Sequence, residues 1–560
     1  MLFPEAKNEE KKQQVLTSPV FSNALAQLET SRRHYLATPI EPVPFNLFKL
    51  FYTEGDRRRY EDLYFAKRGR LTTFALAVLL YGRCEDIEAL EDAIWAICDE
   101  YTWVLPAHSA DLGNCFDRNI VDLFAAETGF ALAEISYLLS DKLDEKVNKR
   151  IADCVEERIF TPYLRRRFGW ETAEANWAAV CAGSVGAAFI YLAPDRFDTV
   201  HARLIDTLKL FLKGFGEDGV CVEGIGYWDY GFGFFTYFSQ LLYEFTHGDE
   251  NLFELPICRK IALFQQNAFL RKNFTVSFSD GYQSWGFLPG LTQKLHDIYG
   301  DEISIPPMEY ADYDDYCHRF PAYLRNFFWT DPNAVRCEKK VGEVFYPSAG
   351  WYLCNNSKLS LAAKAGHNNE PHNHNDVGSF LLAADCGQLL CDFGCGEYSR
   401  DYFDPQTRYT FLCNSSLGHS LPVINGKAQA AGCQYQGKIL SHGNGSFRMD
   451  IAKAYDDPNI KHLERTLSLK DNVFELYDHF AFNTKGNTVC ERFVTMFKPD
   501  WDGKTLKIHG HTLEFDKSLT PMLSSEKLLD HYAAETTLYM VDFESVDPIT
   551  FHIRISPKRE

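Results

Sequence analysis

The chain is 560 residues long, 46% hydrophobic and 15% aromatic, with a formal net charge of −20. That length exceeds one ordinary domain, so two are expected, each with a large core. The acidic balance argues against a nucleic-acid partner and against long-range capture of a polyanion, and no apolar run nears the roughly 20 residues that cross a bilayer, so no membrane partner is expected.

The N-terminal run MLFPEAKNEEKKQQV has no apolar core of the kind a secretory signal needs. Together with 16 cysteines scattered without CxxC pairs, it points to a cytoplasmic protein with reduced thiols. From Thr72 the helical pattern is dense. Leu143, Val147, Ile151, Val155 and Ile159 recur every four residues and predict an amphipathic helix, capped by Ser140 or Asp141. Phe197, Val200, Leu204, Leu208 and Phe211 make a second such face. Asn119–Leu139 and Ala173–Leu192 are long and apolar and read as buried helices; Phe232–Phe245 and Leu252–Phe269 continue the series. A run of helical hairpins without intervening strands predicts an α/α barrel or toroid. No fixed-period repeat accompanies it.

Between about Ile303 and Cys337 the texture changes to an acidic, aromatic, proline-bearing connection. Beyond it strands dominate: Gly350–Lys358, Lys358–Lys364, Phe447–Ala454, Thr466–Lys470, Val473–Phe482, Val489–Phe497, Thr505–Phe515, Thr537–Val541 and Ile549–Ile555. Turn residues such as Asp471–Asn472 and Asp502–Gly503 punctuate them, which predicts an antiparallel β-sandwich. The expected architecture is therefore α+β: residues 1–335 an α/α toroid, residues 336–560 a sandwich.

Three stretches of the helical half hold more polar groups than a bundle needs. In WVLPAHSADLGNCFDRN, His108, Asn114 and Arg118 can line a sugar cleft or simply cap a loop. In EANW, Asn176 stands at the start of an apolar helix, where asparagine is an ordinary cap. In EDGVCVEGIGYWDYGF, Glu223, Tyr227 and Tyr230 lie among glycines and aromatics that also suit a helix entry.

The densest chemistry lies in His367–Ser420. Its HNNEPHNHND opening carries His367, His372 and His374, and His419 closes it. Two apolar runs, Val377–Ala384 and Gln388–Phe393, read as buried strands, with Asp392 ending the second. In an extended segment His372 and His374 would share a side. Two imidazoles, a carboxylate and His419 make a plausible zinc constellation of nitrogen and oxygen donors. Singly, each residue has a bland alternative: a solvated loop histidine, or an aspartate that forms a turn. The same stretch holds Tyr398, Tyr402 and Arg408.

His372–Gly394, Tyr398, Gly418–His419 and Asn425–Gly426 in VINGKAQ resemble the signature of the heparinase II/III-like polysaccharide lyases, and the toroid-plus-sandwich layout is similar as well. The resemblance implies that His372 is catalytic and that His374, Asp392 and His419 bind zinc. It also implies an Asn and Tyr pair, matched by Asn176 and Tyr230, with Tyr227 as the fallback; Phe274–Gly281, with Asp280, resembles a stretch leading into the cleft, where Asp280 would be structural. The implied activity is β-elimination on uronic-acid glycans: Asn176 and His372 neutralise the C5 carboxylate, and the tyrosine takes the C5 proton and returns one to the leaving oxygen. His108, Arg118, Tyr227, Glu223 and Arg408 are the candidate substrate-binding residues, and the expected partner is an acidic oligosaccharide or polysaccharide. Three other readings compete. A uronate C5-epimerase would share the first proton abstraction. A glycoside hydrolase would need two carboxylates, such as Glu223 and Asp229. A non-catalytic glycan-binding protein would bind without turnover.

Overall fold

The computed structural model describes residues 2–109, 117–337 and 342–557. Asn114 lies outside the described residues. Contacts divide the chain into two compact units: Met1–Gly214 with Tyr227–Ala262 and Gly286–Cys337, and Phe215–Gly226 with Leu263–Trp285 and Glu338–Glu560. The second unit thus takes two short segments from the helical half, and nothing in the change of texture near residue 336 signals them.

The first unit is a set of helical hairpins, an N-terminal α/α toroid. Arg58–Tyr81 packs on Cys84–Cys98, and Leu123–Leu138 packs on Asn176–Leu192, which in turn packs on His201–Lys213. Leu123–Leu138 is almost wholly buried, mostly apolar but with the paired carboxylates Glu127 and Glu134 along it. Small residues let its neighbours close in. A Cβ on Gly186 would stand 2.4 Å from the Phe238 ring, so glycine admits that ring directly onto the helix. Asp122 caps Leu123–Leu138 by accepting from the Ala125 amide. The amphipathic segment near Leu143 starts later than its period suggests: Asp144, not Ser140 or Asp141, accepts from the Lys146 amide and opens Glu145–Val155. Its last apolar positions, Ile159 included, fall in a wider turn over Glu156–Phe160. One buried ion pair crosses the unit, Arg325 Nη2 to Glu134 Oε1 at 2.7 Å, and the Tyr191 hydroxyl donates to the same carboxylate at 2.9 Å. Extra hydrogen bonds of this kind are what make a buried pair tolerable.

The second unit is an antiparallel β-sandwich. Among the described residues a five-stranded sheet runs in chain order through Gly342–Tyr346, Trp351–Asn355, Ser360–Lys364, Phe380–Ala384 and Gly387–Leu390. An eight-stranded sheet is built on the long hairpin Ile460–Lys470/Val473–Phe482, and a four-stranded sheet has the order Met522–Leu529, Glu535–Val546, Thr488–Thr495, Pro422–Ile424. Leu361, Phe380 and Leu382 from the first sheet meet Leu463, Phe474 and Ile553 from the second and Phe493 and Val541 from the third in one apolar core. Buried and more exposed side chains alternate along Val473–Phe482, the half-buried strand its sequence predicts. Thr505–Phe515 is two strands, Leu506–Ile508 and His511–Phe515, with the turn at His509–Gly510 between them.

Candidate active site and metal centre

The second unit brings the chemistry of His367–Ser420 together around a residue from a distant part of the chain. The segment Phe274–Trp285 ends its strand and turns at Ser279–Asp280–Gly281, placing the buried Asp280 carboxylate among five side chains. Oδ2 lies 2.5 Å from His372 Nδ1 and accepts from the Tyr398 hydroxyl at 3.1 Å and from Arg408 Nη2 at 3.4 Å. Oδ1 accepts from the Tyr402 hydroxyl and lies 3.0 Å from His374 Nε2. Gly394 makes this approach possible. It has φ +75°, and a Cβ there would sit 2.0 Å from the Gly281 carbonyl oxygen.

His372 and His374 converge on Asp280, but not by the alternation of a strand. Residues 371–376 form turns and bends, and His372 adopts φ +53°. The turn is pinned from both ends by one buried lysine: Lys364 Nζ lies 2.8 Å from Glu370 Oε2 and 2.7 Å from Asp376 Oδ1. Asp376, the last residue of the HNHND run, is therefore an ion-pair partner. Arg408 Nε donates to the Asn373 carbonyl at 3.1 Å, and the Asn375 amide donates to Asn414 at 2.9 Å. The buried Arg465, paired with Asp478, donates from Nη1 to the carbonyls of Gly378 and Ser420, tying the two histidine-bearing loops to the sandwich core.

His374, Asp392 and His419 form a buried His–Asp–His group whose donor atoms lie within 4.8 Å of one another. His419 Nδ1 is 3.1 Å from Asp392 Oδ2, and His374 Nδ1 is 4.0 Å from Asp392 Oδ1. Among the described residues His374 Nδ1, His419 Nδ1 and Asp392 Oδ2 have no hydrogen-bond partner although buried. The opposite atoms are all engaged. His374 Nε2 donates to Asp280, His419 Nε2 donates to the Cys413 carbonyl at 3.0 Å, and Asp392 Oδ1 accepts from the Gly394 amide at 2.9 Å. Those bonds turn Nδ1 of both imidazoles inward toward Asp392, the orientation a metal ligand requires. The group fits a bound metal ion.

Charge shapes the site in opposite directions. Burial would raise the Asp280 carboxyl, but hydrogen bonds from His372 and His374 hold it well below the usual range. Burial would lower the His372 imidazole, but Asp280 beside it raises it, which favours the imidazolium. Asp392 is lowered against burial by His419, and His419 is raised against burial by Asp392. Glu223, also buried in this unit, is pushed up by burial, with His372 opposing. A carboxyl shifted that way can donate a hydrogen bond.

The remaining candidates lie in the first unit. Tyr230 donates its phenol proton to Glu127 Oε1, while Arg319 Nε donates to Glu127 Oε2 at 3.0 Å and its guanidinium stacks 4.0 Å over the Tyr230 ring. Burial raises the Tyr230 phenol well above its usual value, with Glu127 adding to the shift. A base needs the opposite shift. Tyr227, three residues earlier on the helix Ile225–Phe245, is half-buried. Asn176 is the first residue of its helix and is buried; Ala175 occupies the cap position, so Asn176 is not the cap. His108 Nδ1 is held 2.7 Å from Asp122 Oδ2, edge-on to Trp177. Arg118 forms an ion pair with Glu157, both partly exposed. Arg408 of the second unit joins the Asp280 cluster directly. Sequence reading gave Asp280 only a structural part, and Tyr402 and Lys364 none. The signal for Asp280 was a buried-looking strand ending in Ser-Asp-Gly, too common to single out.

Residues 339–512 match the family model "Heparinase II/III-like, C-terminal". No curated protein is matched by the sequence. Among solved structures the chain is similar to a heparinase III, at 12% identity and TM-score 0.62, covering 99% of this chain and 93% of that one. It is similar to the heparan sulfate lyase HepC from Pedobacter heparinus, at 13% identity and TM-score 0.59, covering 96% and 88%. It is also similar to the chondroitin AC lyase of Streptomyces coelicolor A3 in complex with chondroitin sulphate, at 10% identity and TM-score 0.59, covering 100% and 83%. At these identities the likeness is one of fold.

Proposed function

We propose, from a chain whose residues 339–512 match the heparinase II/III-like C-terminal family model and whose fold is similar to that of glycosaminoglycan lyases, that this protein is a polysaccharide or oligosaccharide lyase cleaving uronic-acid glycans by β-elimination. The observation that carries the reading is His372: an imidazole a fifth exposed, held 2.5 Å from the buried Asp280, which raises its pKa, and adjoining a buried His–Asp–His group that fits a metal. Removing the C5 proton builds negative charge next to the uronate carboxylate. The His372 imidazole, whose pKa Asp280 raises, the Asn176 amide and the Glu223 carboxyl, which burial pushes up, are the groups suited to take up that charge. A tyrosine phenolate removes the C5 proton, and the phenol so formed gives a proton to the leaving oxygen. Tyr227 is the better candidate for it, since Tyr230 already donates to Glu127 and is raised in pKa.

Zinc is the metal that two imidazoles and one carboxylate favour, and its chemistry here would be structural, holding the loop ligands in place. His374, Asp392 and His419 would hold it; through Asp280, the same bonds that orient His374 orient His372.

The test is ultraviolet absorbance of the unsaturated uronate end during incubation with heparan, chondroitin, hyaluronan and alginate oligosaccharides. The wild type is expected to produce it on at least one class. Tyr227→Phe should lower the rate by at least about 100-fold, the scale of a lost acid–base group. If only Tyr230→Phe does so, the base is Tyr230. Absence of the signal on all four, with deuterium entering C5 from solvent, would instead establish a C5-epimerase.

A further inference from the structure

A series of aromatic rings leads away from His372 in the second unit, beginning with Tyr398 at the edge of a small apolar cluster around Tyr402. Tyr282 and Trp285 stack with centroids 4.7 Å apart and planes 27° from parallel. Tyr532 stacks on Tyr282 at 6.3 Å and 24°. His531 stands edge-on to Tyr282 at 5.8 Å and to Tyr398 at 4.4 Å. The Tyr398 hydroxyl lies 3.4 Å from His372 Nδ1. The result is an unbroken series from His372 through Tyr398 and His531 to Tyr282, Tyr532 and Trp285.

These rings differ from the aromatics that stabilise the sandwich. Trp351, Tyr352 and Phe380 are sealed at 0–1% exposure, whereas Tyr532 is 46% exposed and Tyr282 and Trp285 are half-buried. Large rings left in contact with water beside a polar site are a recurrent mark of ligand contact. The chain also builds the positions deliberately. Asp530 Oδ1 accepts from the amides of Tyr532 and Ala534 at 2.9 Å each, and Ala533 turns through φ +60°, so a closed turn presents Tyr532. Asp530 bridges to Gly396, just beyond Asp392. Gly226 leaves the space the other two rings fill: a Cβ there would be 3.1 Å from Tyr282 and 3.3 Å from Trp285.

We propose that Tyr282, Trp285, His531 and Tyr532 form a pyranose-binding subsite continuous with His372, which holds a sugar unit flanking the uronate that reacts. A pyranose has an apolar C–H face that lies flat on a ring and hydroxyls at its rim that reach phenol, indole and imidazole edges. A net charge of −20 disfavours a nucleic acid as the stacked ligand. The subsite rests on the uronate-glycan reading above, and its test separates the two. Disaccharides and tetrasaccharides of heparan sulfate, chondroitin sulfate, hyaluronan and alginate are compared on wild type, Tyr532→Ala, Tyr532→Phe and Trp285→Ala. The readout is KM and kcat where the glycan is cleaved and calorimetric Kd where it is not.

Tyr532→Ala and Trp285→Ala are expected to weaken tetrasaccharides by about tenfold, the scale of one lost aromatic contact, with disaccharides and kcat within about twofold. Tyr532→Phe, which keeps the ring, should behave as wild type. Tyr532 is exposed, so its variants test the subsite even if Trp285→Ala fails to fold. Tetrasaccharide affinity unchanged in Tyr532→Ala overturns the subsite while leaving any elimination intact. Binding that shows this length-dependent loss without elimination by wild type keeps the subsite and removes the lyase. A wild type that neither binds nor cleaves any member overturns both.

Discussion

Asp280 accepts from two imidazoles, two phenols and a guanidinium while almost wholly buried. Its charge is therefore shared between the loop of His372 and the group of His374. Asp280→Asn would keep the shape and remove the charge, leaving Arg408 and His372 without their counter-ion. We expect a loss on the order of 3–5 kcal/mol, the cost of breaking a buried pair, and a His372 imidazole that titrates lower. Urea unfolding and imidazole NMR would read both; unchanged stability would mean that water or another residue replaces the carboxylate. Glu127 presents the reverse case. Burial raises its carboxyl from 4.5 to about 7, against Arg319 and the phenol of Tyr230. A raised folded pKa gives stability that is fully present below pH 4.5 and is lost as pH climbs through about 7, on the order of 3 kcal/mol in all. Glu127→Gln should flatten that slope. Unfolding free energies of the two proteins at pH 5 and pH 8 decide it: a constant difference would show that Glu127 does not titrate there.

At the level of elements, legibility followed periodicity. The buried helices near Leu123 and Asn176 and the hairpin Ile460–Lys470/Val473–Phe482 announce themselves because one physical demand, burial of a face, repeats along them. Met522–Leu529 does not, because it lies at a sheet edge with nearly every side chain exposed and has no face to mark. Residue types at a spacing marked His372, His374, Asp392 and His419 as a metal constellation, and the family resemblance narrowed it to His374, Asp392 and His419, the group that the fold brings together. The way His372 reaches its partner was not: it depends on a left-handed turn and on Asp280, 92 positions away. Turn geometry of that sort leaves little trace in composition. Gly394 carries the same lesson as a prediction. Gly394→Ala must accept φ +75° and move the Gly281 carbonyl that a Cβ would meet at 2.0 Å. The strain alone costs about 1–2 kcal/mol, and the displaced Asp280 turn should also loosen the metal group. A lower Tm together with a lower metal-to-protein ratio is the expected result; a normal ratio would uncouple the turn from the metal.

For the molecule as a whole, a resident metal should behave as a ligand of the folded state. Chelation is then expected to lower Tm, and His419→Ala to lose the metal and show the same lower Tm without chelator. Elemental analysis and calorimetry measure this, and an unchanged Tm after complete metal removal would exclude a structural role. A fragment spanning residues 338–560 contains every metal ligand but lacks Phe215–Gly226 and Leu263–Trp285. It should bind metal poorly and unfold readily; co-expression with residues 1–337 should restore it.

The same division of the chain sets an order of events during synthesis. Residues 215–226 and 263–285 leave the ribosome long before the strands they join, which begin at Gly342 and end at Ser556. At about 5–20 residues per second, those segments wait on the order of tens of seconds for their partners. During that interval Leu270, Val276 and Phe278 have no sandwich to bury them, and the nascent chain displays an apolar loop. Cellular yield should therefore depend on chaperones that shield this loop more than on the final stability of either unit.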